Sequence, residues 1–130
     1  MSKSASSSQS SRQVAETAIS LLERTVRTRK APQHTYTSSA EVDHEIHQWF
    51  RGRWPHLDMS DGSNHRATMN DAEWWQTFVR HFSSRIPGLT DMMLLQINVK
   101  RLLLKDNVEW VSRAVWLAVE ITRCREGILG

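Results

Sequence analysis

The chain has 130 residues, 39% of them hydrophobic and 24% charged, with a net charge of +3. That is a globular composition, long enough for one domain with its own core and short for an enzyme that must also house a large cofactor. A lone cysteine, Cys124, excludes an internal disulfide and a cysteine-based zinc site, which fits a reducing, cytoplasmic setting, and no apolar run approaches the roughly 20 residues of a membrane span.

Residues 1–10, MSKSASSSQS, are serine-rich without an apolar stretch. They read as a disordered tail rather than a secretory signal, leaving 11–130 as a single, mainly α domain of about four helices. From Ser11 to Lys30, Val14, Ala18, Leu22 and Val26 recur at four-residue intervals, the pattern of an amphipathic helix. Arg24, Arg27, Arg29 and Lys30 crowd its end, where they suit acidic partners, RNA among them, or simply complement the helix dipole. After Pro32, SSAE offers Ser38 as a cap with Glu41 behind it, and Val42, Ile46, Trp49, Phe50 and Trp54 give a second helix a wide apolar face that Pro55 closes. A loop rich in Asp58, Asp61, Gly62, Ser63 and Asn64 reads as mobile. NDAE repeats the capping pattern with Asn70 and Glu73 before Trp75, Phe78, Val79, Phe82 and Ile86, up to Pro87-Gly88. Around 93–100 the pattern suits a short strand and a helix equally, since Leu95, Ile97 and Val99 alternate with polar residues while Met92, Leu95, Val99 and Leu102 keep helical spacing. Asp106 with Glu109 then caps a last helix whose inner face is Trp110, Ala114, Leu117, Ala118, Ile121 and Cys124. Arg125 falls about 60° from Trp110 on that wheel, inside the apolar arc, so it is expected to be buried and bonded to a carboxylate or a carbonyl from the second helix or the preceding loop, with Asp43, Glu45 and Glu126 as the acidic candidates.

Catalytic and metal chemistry find little support. His44 and His47 share a helix but lack a third ligand, and HEIH is one residue short of the metalloprotease spacing. Cys124 has no histidine near it in sequence and reads as a small buried hydrophobe. The five glycines form no phosphate-binding pattern, and Asp58 and Asp61 sit where Asp is favoured for local turn bonding. The reading is therefore a non-enzyme with no cofactor and no metal. Six tryptophans are many for this length. Trp49, Trp75 and Trp110 are assigned to the core, whereas Trp116 joins Arg113, Glu120 and Arg123 along one stripe, either as an ion-paired flank or as a partner-binding surface rich in hot-spot residue types.

VDHEIHQWFR, EWWQTF, MLLQIN and LAVEITRCREG, in this order, resemble the eukaryotic polysaccharide-biosynthesis-domain-containing protein family over roughly Val42 to Gly127. The terminal run is the most specific part: Glu120, Ile121, Arg123, Arg125, Glu126 and Gly127 match the family's Glu-Ile-Ala-Arg-Asn-Arg-Glu-Gly, while Thr122 and Cys124 depart from it. Gln96 and Asn98 stand where the family has arginine and aspartate, so a charge pair there is lost or rerouted. The resemblance implies a dedicated chaperone that holds the GTP-binding domain of nascent translation elongation factor 1-alpha, meeting it at the ribosome. It adds Arg125 and Glu126 to the stripe Arg113, Trp116, Glu120 and Arg123 read from helical spacing, and these six are the expected partner-binding set. An RNA-binding module is the rival reading, without a known binding motif to support it.

Overall fold

The structure, a computed structural model, describes Ile19 and residues 35–128. The serine-rich tail, the helix read over 11–30 apart from Ile19, and its basic segment lie outside the described residues.

Helix α1 spans Ala40–Arg53. Its cap is Ser39, one residue later than the sequence pattern indicates, with the hydroxyl accepting the Val42 N–H at 3.2 Å. The shift has a cause in Asp43. This buried carboxylate reaches back to accept the N–H groups of Tyr36 at 2.8 Å and Thr37 at 3.0 Å, folding the preceding segment across the helix start. The stretch read as a mobile loop is instead tightly held. A 3-10 turn, Gly62–Asn64, leads into a short helix α2, His65–Thr68. Met59, His65 and Met69 are buried, and His65 Nε2 donates to the Asp58 carbonyl at 2.8 Å. Helix α3, Ala72–Phe82, is capped by Asp71 rather than Asn70, through the Trp74 N–H at 3.1 Å.

The ambiguous segment is a strand: β1, Met92–Gln96, pairs antiparallel with β2, Val108–Ser112, from Met92 opposite Ser112 to Gln96 opposite Val108. This corrects the last helix. Asp106 lies in a 3-10 turn, Lys105–Asn107, and Trp110 sits on β2, because Val108 and Val111 fit a pleated pair and Ser112 supplies the cap for α4, Arg113–Arg125. Its hydroxyl accepts the Val115 N–H at 3.3 Å. At the other end Gly127 takes φ 72°, which lets the Ile128 N–H reach the Arg123 carbonyl at 2.9 Å and stop the helix. The chain is thus mainly helical, with four helices among the described residues and a short two-stranded β segment.

Helix α4 is central. Ala114, Leu117, Ala118 and Ile121 pack with Val42, Ile46 and Phe50 of α1 and Phe78 and Phe82 of α3. Its opposite side is covered too, so every residue from Trp116 to Arg123 is buried. A helix buried all round must satisfy its polar side chains internally. Thr122 bonds back to the Ala118 carbonyl at 2.7 Å, and Tyr36 donates its hydroxyl to Glu120 at 3.2 Å. Arg123, 0% exposed, donates Nε to the Met59 carbonyl at 2.7 Å, Nη1 to Gln96 at 2.6 Å and Nη2 to Ile97 at 2.8 Å.

Replacing Arg123 by Leu removes the donor to the Met59 and Gln96 carbonyls in the interior, while the Ile97 carbonyl keeps the Gly62 N–H at 2.7 Å, and Arg123→Lys keeps charge without the planar fork. Both variants are expected to lose about 3 kcal/mol or more in chemical denaturation. A loss under about 1 kcal/mol would mean the three bonds contribute little.

Candidate functional site

The six residues expected to form a partner-binding set do not come together on the surface. Trp116 is buried with its ring edge-on to Tyr36 at 5.8 Å, Glu120 lies beneath the same tyrosine, and Arg123 is interior. The stripe was placed outward because α4 was read as amphipathic, and its burial on both sides removes that premise. Arg113 is half-buried, its Nη2 3.9 Å from the Met93 sulfur. Arg125, expected to be buried, is exposed, but it is bonded as expected to a carbonyl of the second helix: Nη2 donates to Ala40 at 2.9 Å, rather than to the carboxylates of Asp43, Glu45 or Glu126. It keeps the phase of the apolar arc but falls in the last turn of α4, past the end of the core.

Glu126 has a definite structural task. It accepts Arg51 Nε at 2.7 Å and His47 Nε2 at 2.9 Å, while Arg51 Nη1 spans to the carbonyls of Trp54 at 3.0 Å and Leu57 at 2.8 Å. The C-terminal signature therefore fastens α4 to α1 and to the chain that follows α1. Hydrogen bonding from Arg51 holds the Glu126 carboxyl down at about 2, and bonds from Arg85 and His81 do the same for Glu45, also to about 2. Asp58 and Asp61 accept from Ser60 and Ser63 two residues on, the turn bonding expected of them. Among the described residues no group of three or more His, Cys, Asp or Glu is placed to hold a metal ion.

The exposed apolar surface lies on the hairpin. Trp110, assigned to the core by helical phase, is 42% exposed, and its neighbour across the hairpin end, Met92, is 58% exposed. Beside them a cleft of about 300 Å3 opens between β2 and the α2–α3 segment, with Met69, Trp75, Leu95 and Val115 in its wall. Trp75 also borders a second, more open hollow of about 410 Å3 with Val79 and Thr90. The wall is built by a tryptophan cluster: Trp54 wedges between Trp74 at 4.7 Å and Trp75 at 5.8 Å, so the two adjacent indoles both pack although they diverge on α3. Trp54 and Trp75 donate their Nε1 groups to the carbonyls of Thr68 at 3.0 Å and Met69 at 2.9 Å, which fixes the end of α2. On the rim Arg66 Nε lies 3.2 Å from Glu109. At the far tip of the hairpin Leu102, 77% exposed, and Leu104 stand among Lys100, Arg101 and Lys105. Asn107 holds that tip by donating Nδ2 to the carbonyls of Asn98 at 2.9 Å and Leu102 at 3.0 Å. Gln96, where the family has arginine, gives its amide to the Arg101 carbonyl at 3.2 Å. Helical spacing counts Trp110 on the last helix; Val108, Trp110 and Val111, β-branched and aromatic, were the available strand signal, although the run does not alternate strictly.

Sequence comparison identifies residues 8–129 with the family described as PBDC1 protein. No curated protein sequence matches the chain. By fold it is similar to the solution NMR structure of protein yst0336 from Saccharomyces cerevisiae, with a TM-score of 0.69 and 21% identity over 94% of this chain and 87% of that one.

Glu126 and Glu45 both have carboxyls lowered from 4.5 to about 2 in the folded state, so their contribution is complete above about 4.5 and is lost as pH falls through about 2. Acid titration followed by tryptophan fluorescence should show stability declining across that window, and Glu126→Gln should flatten part of the decline. Arg125→Lys, which retains a donor for a single exposed carbonyl, should change stability by less than about 0.5 kcal/mol.

Proposed function

The chain belongs to the PBDC1 protein family, and from that premise we propose that it is a non-enzymatic protein-interaction module that captures nascent translation elongation factor 1-alpha by its GTP-binding domain. The observation that carries the reading is Trp110, a large aromatic residue left 42% exposed on the β1–β2 hairpin beside a largely apolar cleft. Tryptophan at such a place is the residue type that dominates binding energy, and burying it on a partner removes a standing cost of exposure. Met92 and the leucines of the hairpin tip extend the apolar surface on the same element.

Binding rather than catalysis is supported by how the cleft's titratable groups are engaged. Glu109 is ion-paired with Arg66, and His65 has its Nε2 committed to a carbonyl while burial pushes its pKa down and keeps it neutral. The cytoplasm is the compartment in which such a client is made. Among the described residues no helix is long and apolar enough to cross a membrane.

In a translating cytosolic extract the tagged chain should enrich elongation factor 1-alpha above other proteins, and part of it should be ribosome-bound. Trp110→Ala and Met92→Ala should each weaken that capture, the tryptophan by about tenfold or more, with little change in the unfolding midpoint. Capture that is unchanged in both variants, or an extract in which the factor is not enriched, would overturn the reading.

A further inference from the structure

Among the described residues the hairpin leaves one strand edge open. In an antiparallel pair, alternate residues exchange both backbone bonds with the facing strand, and the residues between them turn N–H and C=O outward. Two flanking bonds set the phase here: Ile97 N–H to the Asn107 carbonyl at 2.8 Å and Arg113 N–H to the Asp91 carbonyl at 2.7 Å. With the observed register, Met93 with Val111 and Leu95 with Glu109 are the bonded pairs. The outward groups on β1 face α4, where the Gln96 carbonyl meets Arg123. On β2 they belong to Val108, Trp110 and Ser112 and point toward α2. There the Trp110 carbonyl receives a long bond from Arg66 Nη2, at 3.4 Å. Among the described residues nothing donates to the Val108 carbonyl or accepts from the Val108 and Trp110 N–H groups.

We propose that the outer edge of β2 takes up an extended, apolar segment of an incompletely folded polypeptide as a third strand, in the lane that the Arg66 side chain fills when the site is free. The inference rests on the protein-interaction reading above and specifies the form of the partner. The edge itself selects that form. It offers donors and an acceptor at strand spacing, and only an extended chain has backbone N–H and C=O groups to match them, because a helix uses its own internally. Side chains on one face of the added strand would enter the cleft of about 300 Å3 against Met69, Trp75 and Val115. Trp110 and Met92, both exposed, line the same cleft. Arg66 is suited to give way, since its side chain is 75% exposed and its pair with Glu109 is a surface pair of small worth. Charge at the edge also protects the free protein against pairing with itself.

The test uses the full chain and short peptides selected against it from a random-sequence display library. Bound peptides should slow amide exchange at Val108 and Trp110 about tenfold or more, while Glu109 and Val111, already bonded to β1, change little. Val108→Pro removes an outward donor without breaking a bond to β1 and should weaken binding about three- to tenfold. Arg66→Ala clears the lane and should tighten binding several-fold, so it decides the matter if the proline variant proves unstable. Peptides that bind without protecting these two amides, failure to select any peptide, or protection that appears with protein concentration alone through pairing of two copies would each overturn the proposal. Edge binding of peptides in a protein that does not capture elongation factor 1-alpha would overturn the client assignment and leave the edge in place; capture with both amides still exchanging freely would do the reverse.

Discussion

The buried guanidinium of Arg123 is the constraint on which the arrangement of this fold depends. Its three donors go to carbonyls at Met59, Gln96 and Ile97, so one side chain of α4 holds both the segment after α1 and the end of β1. The Ile97 carbonyl also accepts the Gly62 N–H at 2.7 Å, but the other two lie outside the β1–β2 ladder. The Gln96 carbonyl faces away from β2 and Met59 lies in irregular chain, so the guanidinium donates to interior acceptors that strand pairing does not reach. The hairpin is placed by the same bonds. Because its β1 edge is committed to α4, the β2 edge is the one left facing outward.

The terminal run Arg123, Arg125, Glu126 and Gly127 reads in sequence as a recognition signature, yet its bonds are architectural. Arg123 gathers loops, Glu126 clamps Arg51 and His47 of α1, Gly127 ends the helix, and Arg125 touches the first carbonyl of α1. A bidentate arginine–carboxylate pair fixes orientation as well as energy, which suits a joint between two helices. In the function proposed above, recognition falls to the hairpin and its cleft, where apolar surface stands exposed on an element already braced from behind. The division has a physical advantage: the surface that a partner covers contributes little to the core, so it can vary without loss of fold.

Much of this was legible in the sequence. The helices at 40–53 and 72–82 announce themselves through Val42, Ile46, Phe50, Phe78 and Phe82, and the loop carboxylates Asp58 and Asp61 behave as turn residues. Each cap was displaced by one residue, since Ser38 and Ser39, or Asn70 and Asp71, are equivalent as local chemistry and only a distant contact such as Asp43 with Tyr36 separates them. The last helix misled for a deeper reason. Helical phase presumes one wet face, and α4 has none over Trp116 to Arg123, so the same wheel that placed Arg123 outside placed it on a second buried side. Trp110 was drawn into that wheel by an apolar spacing that continues across the strand–helix junction at Ser112, where no proline or glycine marks the change.

The central claim is that fold is held at the C-terminal signature and partner recognition lies at the hairpin. Site-specific photo-crosslinking in a translating extract tests it most directly, with a photoreactive residue placed at Met92 in one preparation and at Arg125 in another. Both positions are exposed, and neither belongs to the core. The account predicts crosslinks to nascent elongation factor 1-alpha from Met92 and none from Arg125; crosslinks from Arg125 alone would contradict it.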